Sequence, residues 1–229
     1  MAARETYETS RGSGFLFKVA VVFVALTISA LLACVILVAM PQDLEGVGGL
    51  ESPDGGRDVS AVLRESQLRQ VPVTLTEAEI NQWLARTLEA RQGGRLEETV
   101  SFKRVVVRIR EGVVEVVMER EFAGRPVTVS MYLSIDQARD GDRLRTELNL
   151  HGGRFAPWLP KPPRGGRFGS LSVPQGFLRL VMPSYEALAD VLSEELDNGF
   201  RKMVLIRFED KRIELDPRVP RRDAGQRPE

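Results

Sequence analysis

Few side chains in this 229-residue chain have the chemistry to make or break bonds. Its one histidine, His151, has no cysteine or second histidine near it in sequence, and a metal site needs several such ligands. It reads as an ordinary residue at a strand end. Glu194, Glu195 and Asp197 imitate the paired carboxylates of general acid–base catalysis, but they fall on a helical stretch and read as its solvated face. Gly152-Gly153 and Gly165-Gly166 are turn glycines, and no G-x-S-x-G, Walker or dinucleotide fingerprint is present. The sequence therefore supplies no catalytic residue, no metal-ligand set and no sign of a cofactor. It reads as a non-enzyme.

The single cysteine, Cys34, rules out an intrachain disulfide. It sits inside the uncharged run 19–40, VAVVFVALTISALLACVILVAM, and about 20 apolar residues suffice to cross the roughly 30 Å hydrocarbon core of a bilayer. Arg4, Arg11 and Lys18 precede the run, whereas Asp43, Glu45 and Glu51 follow it with no cation before Arg57. The positive-inside rule leaves the N-terminus (residues 1–18) in the cytoplasm and sends the rest of the chain across. A secretory signal has an apolar core of only about 7–15 residues, so the run reads as an uncleaved anchor. One alternative stays open. Leu31-Leu32-Ala33-Cys34 resembles a bacterial lipobox, in which Cys34 becomes a lipidated N-terminus, although the apolar run continues through Val38.

The 32 cations and 32 anions cancel, which removes nucleic acid as a partner on charge grounds. Residues 41–57, rich in glycine, proline and acids, read as a flexible tether. A folded domain is expected over 58–217 and a disordered tail over 218–229. Asp58 is placed to cap a short helix carrying Val59, Val62 and Leu63. Val71-Pro72 forces an extended backbone. Thr76-Glu77-Ala78-Glu79 spells a capping box, and Ile80, Trp83, Leu84 and Leu88 then recur at helical spacing up to Gly93-Gly94.

Alternation predicts a meander of four antiparallel strands: Val105, Val107 and Ile109; then, after Glu111-Gly112, Val114, Val116 and Met118; then Val127 to Ile135; then, after Asp140-Gly141, Leu144, Leu148 and Leu150. Its greasy face needs a cover. A long helical stretch over 175–203 supplies one, with Pro183 expected to start, bend or break it. Val204, Ile206 and Phe208 lead through a turn at 209–212 to Ile213 and Leu215. The fold class is α+β: a transmembrane helix, then a curved antiparallel sheet packed against a long C-terminal helix and a shorter N-terminal one.

Two groups of residues are candidates for binding. Val127, Val129, Met131, Leu133, Ile135, Leu148 and Leu150 on the strands face Phe177, Leu178, Val181, Leu188 and Leu192 on the helical stretch. They could line a groove for a lipid or other apolar ligand, or fill a dry core, because both select the same residue types. In the loop before Gly169, Arg154, Phe155, Trp158, Lys161, Arg164, Arg167 and Phe168 mix aromatics with cations. That mixture suits a headgroup zone or an anionic partner.

The order of elements, from the anchor through TLTEAEINQWLARTLEA and the meander to G-S-L-S-V-P and VLIRFEDKRIELDP, resembles small bacterial membrane-anchored envelope proteins of the YpmS-like kind. These are related in architecture to the tubular lipid-binding superfamily. The resemblance spans about residues 71–217 and implies a curved sheet around a long helix with apolar ligand between them; it implies no catalytic residue. The proline-rich basic loop before Gly169 departs from that pattern. The expectation is a single-pass protein of the bacterial inner membrane, its domain on the extracytoplasmic (periplasmic) face. Its partners would be the bilayer, a lipid ligand or another envelope protein. The competing expectation is a solid-cored interaction module of the envelope.

Overall fold

The computed structural model describes residues 10–50, 56–91, 103–122, 124–140, 143–151, 166–173 and 175–218. The chain is α+β, an apolar N-terminal helix followed by two antiparallel sheets with helices. Helix α1, Ser10–Ala39, contains a stretch from Gly14 to Ala39 long and apolar enough to cross a membrane, and it is not buried against the rest of the chain. Exposed phenylalanine, valine and leucine all around a helix suit hydrocarbon rather than water.

Local signals start the next elements. The Asp58 carboxylate accepts from the N–H groups of Ser60 and Ala61, capping α2, Val59–Arg69. Strand β1, Val73–Thr76, leads into α3, Glu77–Arg91. There the Glu79 carboxylate accepts from the Thr76 N–H (2.9 Å) while the Thr76 hydroxyl accepts from the Glu79 N–H (3.2 Å). The capping box forms as its spelling predicts. The Gly93-Gly94 stop lies outside the described residues, as do Gly141, the tail from residue 219, and Arg154, Phe155, Trp158, Lys161 and Arg164 of the basic loop.

Strands β2 (Arg104–Arg110), β3 (Val113–Phe122), β4 (Arg125–Asp140) and β5 (Arg143–His151) form the expected meander. Two short strands, β6 (Arg167–Phe168) and β7 (Leu171–Ser172), extend the sheet beyond β4. On the inner face, Val105, Val107, Ile109, Val114, Met118 and Met131 are buried in the main core. A second sheet, β1 with β8 (Leu205–Glu209) and β9 (Arg212–Asp216), contributes Leu75, Ile206, Phe208, Ile213 and Leu215 to that core.

Two expectations change. Residues 175–203 are not one helix: a 3₁₀ helix, Gln175–Leu180, precedes α4, Met182–Val191, α5, Ser193–Leu196, and a π-helical turn, Asp197–Arg201. Pro183 stands in the first turn of α4, where its missing N–H costs nothing. The segment 41–50, read as tether for its glycines and acids, lies packed as a strap across the outer face of the larger sheet. Val47 is buried there with Val106 and Val117, and Leu44 and Leu50 pack around them.

Candidate functional site

Between the two sheets and the helices lies a cavity of about 380 Å³, within the size range of sites that take small ligands. Its floor is the inner sheet face (Val105, Val107, Val114, Val116, Met131, Leu133) and its walls come from α2, α3, α4 and α5 (Leu63, Trp83, Leu84, Met182, Leu188, Leu196). Gly199 and Phe200 in the π-helical turn close one side. A π turn sets one residue out of helical step, and Gly199 brings no side chain there; a Cβ would meet nothing nearer than Leu63 Cδ1 at 3.7 Å. The interior is thus close to wholly aliphatic and aromatic, and it can hold apolar groups by area burial alone.

Polar atoms in the lining are few. The Tyr185 hydroxyl is committed to the backbone, shared between the carbonyls of Val116 (3.0 Å) and Val129 (3.2 Å). Burial, and secondarily Glu115, pushes its phenol well above the ordinary range, so it stays protonated and donating. Next to it, Ser184 accepts from the Arg120 guanidinium, whose own pKa is lowered by burial. Glu195 is buried among the lining and accepts from the Ser60 hydroxyl (2.9 Å). Glu186, also on the lining, is the one exposed residue among the described ones that form it. Among the described residues, the lining thus reaches solvent at Glu186 on α4.

The outer sheet face is built by different chemistry. Glu77 and Asn81, one turn apart on α3 and each 2% exposed, clamp the edge strand β2 to the strap. The Glu77 carboxylate accepts from Ile109 N–H (2.7 Å) and Gly48 N–H (2.9 Å). Asn81 accepts from Val107 N–H (2.7 Å) and donates to the carbonyls of Val107 and Gly48 (2.9 Å each). An exposed sheet edge is a liability, and these two side chains remove it. Gly49, at φ +84°, passes so close to α3 that a Cβ would lie 2.4 Å from the Ala78 carbonyl oxygen. Farther along, Arg108 pairs with Glu115 (3.1 Å) and Arg104 with Glu119 (2.6 Å). Burial and the nearby Glu115 push the Tyr132 phenol up.

The strap begins at a joint with α1. Gln42 N–H donates to the Thr128 hydroxyl (2.8 Å), and Gly169 N–H donates to the Thr128 carbonyl (2.7 Å). Ser170 N–H then caps the Leu37 carbonyl (2.9 Å), one of the unpaired groups at the end of the helix. Gly169, at φ +55°, touches three carbonyls of that turn, and a Cβ would stand 2.4 Å from two of them. Only glycine fits.

Of the strand and helix residues proposed from sequence to line an apolar site, Met131, Leu133, Leu188 and Leu192 do line the cavity. Val129, Ile135 and Val181 pack beside the core without reaching the lining, and Val127 is half-buried at the start of β4. Leu150 and Leu148 stand on β5 in register with Leu133 and Ile135; Phe177 is half exposed on the 3₁₀ helix that also carries Leu178. From the basic loop, Arg167 and Phe168 form β6 against Ser130 and Val129. His151 ends β5, opposite Tyr132. Glu194 and Asp197 pair with Arg64 and Lys202 at the surface, whereas Glu195 is buried. Among the described residues, no cluster of three histidine, cysteine, aspartate or glutamate side chains could hold a metal ion.

Sequence reasoning missed the contributions of β2 and β3 (Val105, Val107, Val114, Val116), α2, α3 and the smaller sheet to the lining, and the roles of Glu77 and Asn81. Their spacing of four, on the side of α3 away from solvent, was the available signal. No protein-family model matches this chain, and no curated protein matches it in sequence.

Proposed function

We propose that this chain is a membrane-anchored, non-enzymatic binder of a lipid or similar apolar molecule of the bacterial envelope. In this reading, α1 stays in the inner membrane as a single span with its N-terminus in the cytoplasm, and the domain stands on the extracytoplasmic side. The observation that carries the proposal is the cavity of about 380 Å³ in the centre of the domain, with an aliphatic lining that includes the exposed Glu186. An interior selected only for stability would be filled, since an apolar void costs on the order of 24 cal/mol per Å³. The resemblance to tubular lipid-binding proteins, with ligand held between sheet and helices, fits the same reading.

Retention of α1 is supported by the joint: removing the helix would strip Ser170 of the Leu37 carbonyl it caps. Cys34 lies within the helix, which runs on to Ala39, and that continuation favours an anchor over a lipidated N-terminus.

Native mass spectrometry of the full-length chain, released from lipid nanodiscs, tests this function. The expected result is one retained lipid on the wild type and its loss in Val114→Phe, which adds bulk to the cavity floor. An unliganded mass for the wild type, with no uptake after lipid is added, would leave the solid-cored interaction module as the better account.

A further inference from the structure

The 3₁₀ helix Gln175–Leu180 exposes apolar side chains at a place where water is a poor neighbour. Phe177 is 50% exposed and Leu180 is 72% exposed, with the exposed cation Arg179 between them. Both ends of this segment are fixed to one part of the domain. On its N-terminal side, Val173 N–H donates to the Gly166 carbonyl (2.9 Å), and β6 and β7 join at the Gly169-Ser170 turn that caps the end of α1. On its C-terminal side, Ser184 accepts from Arg120, which pairs across the sheet with Val127, the neighbour of Thr128. Thr128 is the residue that receives hydrogen bonds from both Gln42 and Gly169 at the joint. The apolar segment is therefore held at the corner of the domain where the chain leaves α1. Arg125, exposed at the start of β4, adds a second cation to that corner.

We propose that Gln175–Leu180 is a second membrane contact, which seats Phe177 and Leu180 in the interfacial zone of the bilayer that α1 crosses. The inference rests on the reading of α1 as a membrane span. Its occupant is a lipid surface because the patch follows closely in the chain on the Gly169-Ser170 turn and β7, which meet the end of that span, and because Arg179 and Arg125 complement anionic headgroups. The segment leads directly into Met182 and Glu186, both on the cavity lining, Glu186 being its exposed member. A contact here brings that part of the lining to the bilayer, so an acyl chain passes from membrane to cavity without crossing bulk water.

Spin labels on the full chain test this, in nanodiscs of phosphatidylcholine with a minor fraction of phosphatidylglycerol. One label goes on native Cys34; others go on Phe177→Cys and Leu180→Cys, each combined with Cys34→Ala. Collision with oxygen is compared with collision with a water-soluble nickel chelate. The expected result is a severalfold preference for oxygen at all three sites, strongest at Cys34. A nickel preference at 177 and 180, with oxygen still preferred at Cys34, overturns the second contact and leaves the anchor standing. A label at 177 and 180 that collides with neither reagent is buried in protein, which also overturns the second contact. A nickel preference at Cys34 overturns the anchor, and this inference with it.

Discussion

The two faces of the six-stranded sheet are made by the same alternating strands yet finished in opposite ways. Toward the strap, Val106 and Val117 are fully buried, and buried polar groups (Glu77, Asn81, Thr128) fix a glycine-rich segment by hydrogen bonds to its backbone. Toward the helices, Val114 and Val116 face a cavity with hardly a polar atom in reach. A face closed by directional bonds has one arrangement, whereas a face closed by dispersion and area burial tolerates a gap and a guest. The contrast places directional bonding on the outer face and an apolar gap on the inner one.

The largest effect is expected where the outer face is cut. Asn81→Leu leaves the Val107 N–H and two carbonyls without their partner. Stability should fall by about 3 kcal/mol in a denaturant melt; a loss below about 1 kcal/mol would show that the clamp is dispensable. The next test enlarges two valines of one strand. Val117→Phe overpacks the closed outer face and should cost about 2 kcal/mol, whereas Val114→Phe grows into the cavity and should change stability by less than about 1 kcal/mol. Equal losses would erase the distinction between the faces.

A smaller effect concerns pH. The hydrogen bond from the Arg57 guanidinium, aided by Thr76, holds the Glu79 carboxyl at about 2. Because the folded-state value lies below the ordinary one, its stabilisation is complete above pH 4.5 and lost as pH falls toward 2. Glu79→Gln should cost about 1 kcal/mol at neutral pH and flatten the acid limb of the stability profile. An unchanged limb would contradict the assigned pairing. Smallest of all is Arg64→Ala, which removes an exposed pair with Glu194 and should leave the denaturant midpoint unchanged within error.

Much of this contrast was legible in the sequence where the signals are local. The capping box at Thr76, the Asp58 cap, the Glu111-Gly112 turn and the strict alternation of β2 to β4 each involve residues a few positions apart. The strap was not legible. Leu44, Val47 and Leu50 are too few to show a period, and their partners on β2 and β3 lie far along the chain, so glycine and acid content dominated the reading. The broken run over 175–201 was half legible: Pro183 marks one break, but the π turn at Gly199 depends on packing against α2. The cavity follows the same division. Met131, Leu133, Leu188 and Leu192 could be named from their spacing, whereas Val105, Val107, Val114, Val116, Trp83, Leu84 and Leu63 looked like ordinary core, because lining and filling use identical side chains.

The most direct measurement places a quencher in the lipid and reads a tryptophan in the cavity. Trp83 lines the cavity, and Trp158 is the other tryptophan of the chain; Trp158→Phe leaves Trp83 as the sole emitter. In nanodiscs holding a rising fraction of phosphatidylcholine brominated on its acyl chain, its fluorescence should be quenched saturably, and Val114→Phe should abolish the effect. Fluorescence that ignores the brominated chain, in the same discs and with the fold intact, would contradict the claim that this domain takes apolar chains from the membrane.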